Sequence, residues 1–168
     1  GVINVESPRV GTFTEEDETV LVMVARQLSQ VLEVAHLHDQ VKRTATQDGL
    51  TGIANYRTFY GRLEAELERA EDGGNPLALI LIDVNGLKQL NDNHGHLAGD
   101  GAIRRIAHLL HEASREGELV ARYGGDEFAV ILAGLDEVAA TRRAKEITQV
   151  VRDTATFDFE GQLLPLPS

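Results

Sequence analysis

The 168-residue sequence contains no cysteine, so neither disulfides nor thiolate metal sites can form. Basic residues are also scarce, with 16 Lys and Arg against 27 Asp and Glu and a formal net charge of −11. That charge argues against a nucleic-acid partner, because phosphate backbones are bound through accumulated Lys and Arg. No apolar run approaches the roughly 20 residues that span a bilayer, and no secretory signal opens the chain. These absences predict a cytoplasmic protein without membrane insertion in this segment.

Two glycines and two carboxylates stand between apolar, strand-forming arms in residues 122–132, RYGGDEFAVIL. Gly124 and Gly125 predict a tight hairpin turn, because glycine takes positive φ without a Cβ clash. Their missing side chains also leave room for a bulky anion. Asp126 and Glu127 would then supply hard oxygen ligands for a divalent metal that carries a phosphate. The alternative is an ordinary hairpin with acidic surface residues.

A second acidic position ends another apolar run. Residues 77–82, LALILI, predict a strand buried on both faces, and this strand stops at Asp83. If it pairs beside the Gly-Gly hairpin, Asp83 and Asp126 converge. Two carboxylates on neighbouring strands can hold one or two Mg²⁺ ions and so neutralise a triphosphate.

Together with residues 48–55, DGLTGIAN, and 91–100, NDNHGHLAGD, these runs resemble the GGDEF family of diguanylate cyclases. The resemblance implies an α/β (α+β) fold in which helices flank a central, mainly antiparallel sheet, like the palm domain of nucleotide polymerases. It also implies that each domain binds one GTP. Two domains facing each other in a homodimer would then condense two GTP molecules into cyclic di-GMP and release two pyrophosphates.

By the same resemblance, Asp83, Asp126 and the backbone carbonyl of Val84 hold Mg²⁺ or Mn²⁺. Asp126 or Glu127, or water on the metal ion, could take the proton from the attacking 3′-hydroxyl. Lys88 would lie against the triphosphate, where a mobile positive charge can follow the developing negative charge. A lone lysine is otherwise a solvated surface residue.

Asn91 and Asp100 supply a side-chain donor and an acceptor, which a pocket selecting guanine needs. In the family the matching residues contact guanine, and the residue matching His96 lines the same substrate site. Gly124 and Gly125 belong to this substrate site as well. The alternative is that Asn91 merely lies at the end of one helix and Asp100 near the start of the next.

Three features depart from the family pattern. Asn85 and Gly86 replace a carboxylate and a bulky residue, which predicts that Asn85 caps the following helix and that Gly86 widens the pocket. Arg115 and Glu118 occupy the place of an inhibitory product site that has Asp in the family, and a solvated surface loop is the alternative there. GGDEF domains normally continue with another core strand and a helix, whereas this sequence ends at Ser168.

The N-terminal residues 1–13 resemble the last strand of a GAF domain and the start of its last helix, with Thr14 as the helix N-cap. Residues 15–47 contain no Pro or Gly and predict one long helix, so residues 14–46 form a linker before a GGDEF domain at 47–168. The apolar residues of the linker helix recur at spacings of three and four, which indicates a parallel dimeric coiled coil. Packing of this helix against a GAF core is the alternative. The repeating positions are Leu21, Val24, Leu28, Val31 and Ala35, followed on a shifted phase by Val34, Leu37 and Val41.

The other predicted elements are helices at about 56–70, 86–93, 101–113 and 136–151 and a hairpin at 157–164. Two other functions stay open. One is a non-catalytic GGDEF-like module that binds GTP or cyclic di-GMP and acts through dimer contacts, although the intact signature opposes it. The other is a transition-metal site, for which dispersed surface histidines are the alternative. The histidines concerned are His94, His96, His108 and His111.

Overall fold

The computed structural model describes residues 2–167, apart from the side chain of Asp39. The predicted N-terminal strand starts at Gly1 and the predicted catalytic domain ends at Ser168, and those two residues lie outside the described range. The chain divides into two compact units with the boundary between Arg43 and Thr44. In chain order the elements are α1 (Glu15–Thr46), α2 (Tyr56–Gly73), β1 (Leu77–Asp83), α3 (Leu87–His94), α4 (His96–Ala113), β2 (Leu119–Arg122), β3 (Glu127–Ala133), α5 (Glu137–Asp153), β4 (Thr156–Phe159) and β5 (Gln162–Pro165).

The N-terminal unit contains most of the predicted long helix, α1, whose last three residues belong to the second unit. Thr14 caps it as predicted: the Asp17 N–H donates to Thr14 Oγ1 at 3.3 Å, and the Thr14 N–H donates to Asp17 Oδ2 at 2.8 Å. The predicted strand before it is wrong for the described residues, because positions 2–7 have no regular secondary structure. A strand needs a partner strand for its backbone groups, and none pairs with this segment among the described residues.

A three-stranded antiparallel sheet in the order β1-β3-β2 organises the second unit and confirms the predicted fold class. The bounds of β1 match the prediction, but its burial on both faces is wrong: Leu79 and Leu81 are 43% and 65% exposed. β1 lies at the edge of the sheet, and β3 takes the central position with residues 128–132 fully buried. On the face that carries these two leucines, α2 packs mainly over β2 and also contacts β3, through Phe59 against Ala129, while Leu79 and Leu81 stay exposed.

Helices α4 and α5 cover the other face of the sheet and form the larger core. The predicted inward residues of α4 are buried there. They pack with Ile147 of α5 against the alternate residues of β3 that point to this face. The buried residues are Ile103, Ile106, Ala107 and Leu110 from α4 and Phe128, Val130 and Leu132 from β3.

Two helix boundaries differ from the prediction. α2 continues to Gly73 and ends at Gly74, whose φ of +63° is the left-handed conformation common after a helix C-terminus. α4 begins at His96, so Asp100 lies inside this helix and not at its start. The predicted cap of α5 is confirmed, because the Ala139 N–H donates to Asp136 Oδ1 at 2.8 Å.

The predicted C-terminal hairpin is confirmed as β4 and β5, which pair as a separate two-stranded sheet. Its buried side chains Phe157 and Leu164 join the larger core. Gly101 of α4 allows this close packing, since a Cβ there would lie 3.1 Å from the Phe157 ring.

Candidate active site at the end of the sheet

Three carboxylates lie at one end of the central sheet. Asp83, the last residue of β1, pairs directly with Glu127, the first residue of β3. One position further, the Val84 N–H donates to the Asp126 carbonyl at 3.1 Å. Residues directly opposite each other in an antiparallel pair point to the same face of the sheet, so Asp83 and Glu127 share a face. The direct cross-strand neighbour of Asp83 is therefore Glu127, and Asp126 stands beside Val84.

The turn between β2 and β3 is closed differently from the prediction. Neither Gly124 nor Gly125 takes the positive φ expected of a Gly-Gly hairpin turn. Instead, the Glu127 carbonyl accepts two hydrogen bonds, from the Tyr123 N–H at 2.9 Å and from the Gly124 N–H at 3.2 Å. A Cβ at Gly124 would meet the end of the exposed Glu127 side chain, which can move aside, and a Cβ at Gly125 would face open space.

Arg122 braces this turn from below. Its Nε and Nη2 donate to the Gly125 carbonyl at 3.2 and 2.7 Å, and its Nη1 donates to Asp48 Oδ1 at 3.1 Å. Asp48 also accepts hydrogen bonds from the Thr51 N–H and hydroxyl. Burial alone raises the pKa of Asp48, but the hydrogen bonds from Thr51 and Arg122 outweigh it and hold the pKa below its ordinary value.

The sequence did not predict this contact between Arg122 and Asp48. Asp48 and Arg122 are 74 residues apart, so no local pattern connects them. The available signal was that both residues stand inside runs that resemble the same family.

Asn91 lies half-buried between α3 and α4 with an unsatisfied acceptor. Its Oδ1 is buried and has no hydrogen-bond partner among the described residues. Gly99 of α4 makes room for it, since a Cβ there would clash with this amide. Asp100, also half-buried, follows Gly99 directly, so the packing of α3 on α4 brings Asn91 and Asp100 close together. A buried acceptor without a partner is unfavourable unless a ligand donates to it.

The remaining predicted substrate residues are exposed. Lys88 lies on α3, and His96 is the first residue of α4. The predicted capping of α3 by Asn85 is wrong: Gly86, at a φ of +87°, occupies the N-cap position and no side chain caps the helix. The left-handed Gly86 places Asn85 one residue too far from the helix to reach its free N–H groups.

The donor set at the sheet end suits a hard divalent cation. Within the part of the chain that the structure describes, the carboxylates of Asp83, Asp126 and Glu127 make no hydrogen bond or ion pair. Asp83 and Val84 also line a cavity of about 160 Å³ together with Arg152 of α5. No group of three or more His, Cys, Asp or Glu side chains in residues 2–167 could hold a metal alone. Mg²⁺ commonly takes only one or two carboxylates and completes its shell with water and phosphate oxygens. The predicted ligands, which are the Asp83 and Asp126 carboxylates and the Val84 carbonyl, therefore fit Mg²⁺.

The residues of the predicted inhibitory site are already paired with α5. Glu118 accepts from Arg143 Nε at 2.7 Å and Nη2 at 2.8 Å, and these two side chains are 8% and 5% exposed. Arg115 Nη2 donates to Glu146 Oε2 at 2.8 Å. Glu118 therefore does not lie in a solvated loop, and its carboxylate is already bound by Arg143.

The histidines considered as a transition-metal site are spread over two helices. His94 ends α3 and His96 begins α4. His108 lies 3.3 Å from Glu112 on the same exposed face of α4. This arrangement provides no cluster of imidazole ligands among the described residues.

Comparison with known proteins places these features in a family context. The family described as "Diguanylate cyclase, GGDEF domain" matches residues 45–163. The chain is 36% identical over 132 residues to diguanylate cyclase DgcP of Pseudomonas aeruginosa, covering 79% of this chain and 19% of the relative. It is 32% identical over 148 residues to diguanylate cyclase DosC of Escherichia coli, covering 87% of this chain and 32% of the relative. The chain thus spans less than a third of the length of these relatives.

Among solved structures, the chain is similar to the coiled coil and GGDEF domain of DgcB from Caulobacter crescentus, determined in complex with c-di-GMP. The TM-score is 0.70 at 27% sequence identity, and the match covers 88% of this chain and 77% of the other.

Proposed function

Because the chain belongs to the GGDEF family of diguanylate cyclases, we propose that it condenses two GTP molecules into cyclic di-GMP. One observation carries this proposal most directly. Within residues 2–167, a single domain presents carboxylates without a hydrogen-bond or ion-pair partner at the end of its sheet and, on Asn91, a buried acceptor without one. The first feature suits metal-bound phosphates, and the second suits the N–H groups of a purine.

In the proposed reaction, the 3′-hydroxyl oxygen of one GTP bonds to the α-phosphorus of the other, and the bond to pyrophosphate breaks. Asp126 or Glu127 takes the hydroxyl proton. The divalent ion held by Asp83, Val84 and Asp126 would supply positive charge to the triphosphate and to the leaving pyrophosphate. Lys88 adds a mobile positive charge near the transferred group. A second, symmetric step closes the ring and releases the second pyrophosphate.

Guanine selection is proposed for Asn91 and Asp100. Guanine carries donors at N1 and N2 and an acceptor at O6, and the Asn91 amide offers both an acceptor and a donor. The Asp100 carboxylate adds a charged acceptor, which strengthens hydrogen bonds from the base. His96 would line the same pocket, and Gly124 and Gly125 leave space for the phosphates.

Helix α1 is proposed to form a parallel coiled-coil dimer. Its repeating apolar side chains are largely exposed in the single chain, including Val24, Leu28 and Val31. Of the described helices, only α1 is long and apolar enough to cross a membrane by length and composition. Arg26 and Glu33 interrupt that stretch, and the three-four spacing of its apolar residues favours a helical partner over lipid. A dimer would bring two GTP-loaded domains together.

We expect light scattering to give the mass of a dimer at micromolar protein concentration. Leu28→Glu should yield a monomer, because it places a charge in the centre of the proposed seam. Gln30→Glu, on the helix face opposite Leu28, should remain a dimer. A monomeric parent chain would contradict the proposed assembly.

The domain bounds, the cellular location and the role of Arg115 and Glu118 are also proposals. Residues 1–13 would belong to the end of a GAF domain, 14–46 to a linker and 47–168 to the catalytic domain, in a cytoplasmic protein where GTP and Mg²⁺ are available. We further propose a structural and not an inhibitory role for Arg115 and Glu118, supported by their ion pairs with α5.

The proposed activity is tested by incubating the chain with GTP and Mg²⁺ and separating the products by chromatography. We expect cyclic di-GMP with GTP, and none with ATP or after chelation of the metal. If GTP binds and no product forms, the chain is the non-catalytic binding module, and the proposed activity is rejected.

A further inference from the structure

All three tyrosines of the chain lie in one cluster beside the turn that carries Asp126 and Glu127. Tyr56 and Tyr60 stand in the first turns of α2, and Tyr123 directly precedes Gly124. We infer that Tyr60 is a positioning residue: through its hydroxyl on Tyr123, it holds the turn in the geometry that the reaction needs. This inference rests on the proposed function.

Tyr123 is half-buried against aromatic side chains of α2. Its ring centroid lies 5.3 Å from that of Tyr56 and 5.5 Å from that of Phe59, with the Phe59 ring at 90° to it. Edge-to-face and tilted pairs at such distances are attractive. The Tyr60 and Tyr123 hydroxyl oxygens are 3.2 Å apart, within hydrogen-bond distance of each other.

The platform under Tyr123 is itself fixed. Phe59 is fully buried against the sheet. At the start of α2, Asn55 Nδ2 donates to the Ala45 carbonyl at 3.1 Å, and the Thr58 hydroxyl donates to the Thr46 carbonyl at 2.8 Å. These contacts hold the first turn of α2, and with it Tyr60, in place.

Tyr123 transmits this position to the turn through its backbone. Its N–H and that of Gly124 both donate to the Glu127 carbonyl, so the turn opens if Tyr123 moves away. Arg122 holds the Gly125 carbonyl from the other side. Tyr60 and Arg122 therefore brace the turn from two directions.

The electrostatics of the cluster support this arrangement. The hydrogen bond to Tyr60 is the main reason that the pKa of Tyr123 is raised to about 12. Hydrogen bonds with Tyr123 and then Tyr56 lower the pKa of Tyr60. The Glu127 carboxylate also raises the pKa of Tyr123, although less than Tyr60 does.

The test is Tyr60→Phe, which keeps the ring and removes the hydroxyl. We expect amide hydrogen exchange at Tyr123 and Gly124 to become about three- to tenfold faster, the effect of losing one net hydrogen bond. For the same reason kcat should fall about three- to tenfold while KM stays near the parent value. Tyr56→Phe is the matched control, because it also removes a tyrosine hydroxyl but leaves the Tyr60–Tyr123 bond. It should change neither the amide exchange rates nor kcat appreciably.

Tyrosinate absorbance provides a spectroscopic measurement of the same bond. The chain has no tryptophan, and its three tyrosines all belong to the cluster, so an alkaline titration reports on the cluster alone. In Tyr60→Phe the pKa of Tyr123 should fall toward the ordinary tyrosine value near 10, whereas in Tyr56→Phe it should stay high.

Equal exchange rates in Tyr60→Phe and Tyr56→Phe would overturn the inference, and so would a raised KM with kcat unchanged. If the parent chain makes no cyclic di-GMP, the proposed function fails. Amide exchange and tyrosinate titration still decide the role of Tyr60 in that case, because neither depends on turnover.

Discussion

Replacing Asp126 by asparagine is expected to lower kcat for cyclic di-GMP formation by about a thousandfold or more, equivalent to about 4 kcal/mol of transition-state stabilisation. The change is nearly isosteric but removes a negative charge at the sheet end, where no other protein group pairs with this carboxylate among the described residues. Initial rates with saturating GTP and Mg²⁺ measure the effect.

Asp72→Asn is the matched control, because Asp72 is an exposed carboxylate near the end of α2. It should retain the parent rate. A Mg²⁺ titration separates the two roles of Asp126: partial recovery at high Mg²⁺ indicates a metal ligand, and equal loss at every Mg²⁺ concentration indicates the proton acceptor. Undiminished synthesis of cyclic di-GMP by Asp126→Asn would refute both roles.

Glu118→Ala is expected to reduce the free energy of unfolding by about 3–5 kcal/mol, because it leaves the Arg143 guanidinium buried without its counter-ion. Arg143 would keep the Ala113 carbonyl and the half-exposed Glu146 as partners, and neither replaces two charge-assisted hydrogen bonds. Urea denaturation monitored by far-ultraviolet circular dichroism measures the loss. Glu68→Ala, an exposed position on α2, should change stability by no more than about 0.5 kcal/mol.

A double variant distinguishes loss of the pair from loss of packing. Glu118→Leu combined with Arg143→Met replaces both charges by apolar groups, and it should recover most of the stability. Retained destabilisation in the double variant would show that the ion pair itself is not the cause of the loss.

The same pair predicts a dependence of stability on pH. Burial alone raises the pKa of Glu118, but hydrogen bonds from Arg143 and from the Arg115 backbone outweigh it and leave the folded-state pKa below the ordinary 4.5. Its stabilising contribution is therefore complete above about pH 4.5 and is lost as the pH falls through the lower folded-state pKa. The double variant should lose less stability over this acidic range than the parent chain.

Local patterns predicted much of the fold. The apolar run at 77–83 predicts β1 with its observed bounds, and the absence of Pro and Gly from 15 to 47 predicts α1. Burial was harder to predict, because it depends on which elements cover a strand. The same apolar run suits a strand at the edge of the sheet and a fully buried central strand equally well. Only the order β1-β3-β2 shows that β1 is at the edge and β3 is central.

The candidate site also combines residues that local patterns predict with residues whose roles depend on packing. Resemblance in the signature run predicts Asp126 and Glu127 as site residues, and position in a motif predicts an inhibitory role for Glu118. Its role changed because Arg143, 25 residues further along the chain, packs against it. Tyr56 and Tyr60 stand four residues apart on one helix face, a spacing that predicts their contact. Nothing local connects either of them with Tyr123, which is 63 residues beyond Tyr60.

The outer rim of β1, which is the backbone edge of this strand that faces away from β3, affects the solubility of the chain at high concentration. No strand within residues 2–167 hydrogen bonds to that rim, and the LALILI run presents neither proline nor charge before Asp83. Unprotected rims of this kind accept strands from neighbouring molecules, which leads to aggregation. A lysine at position 81 would introduce a charge on the uncovered face and is expected to increase solubility without disturbing the buried side of the sheet.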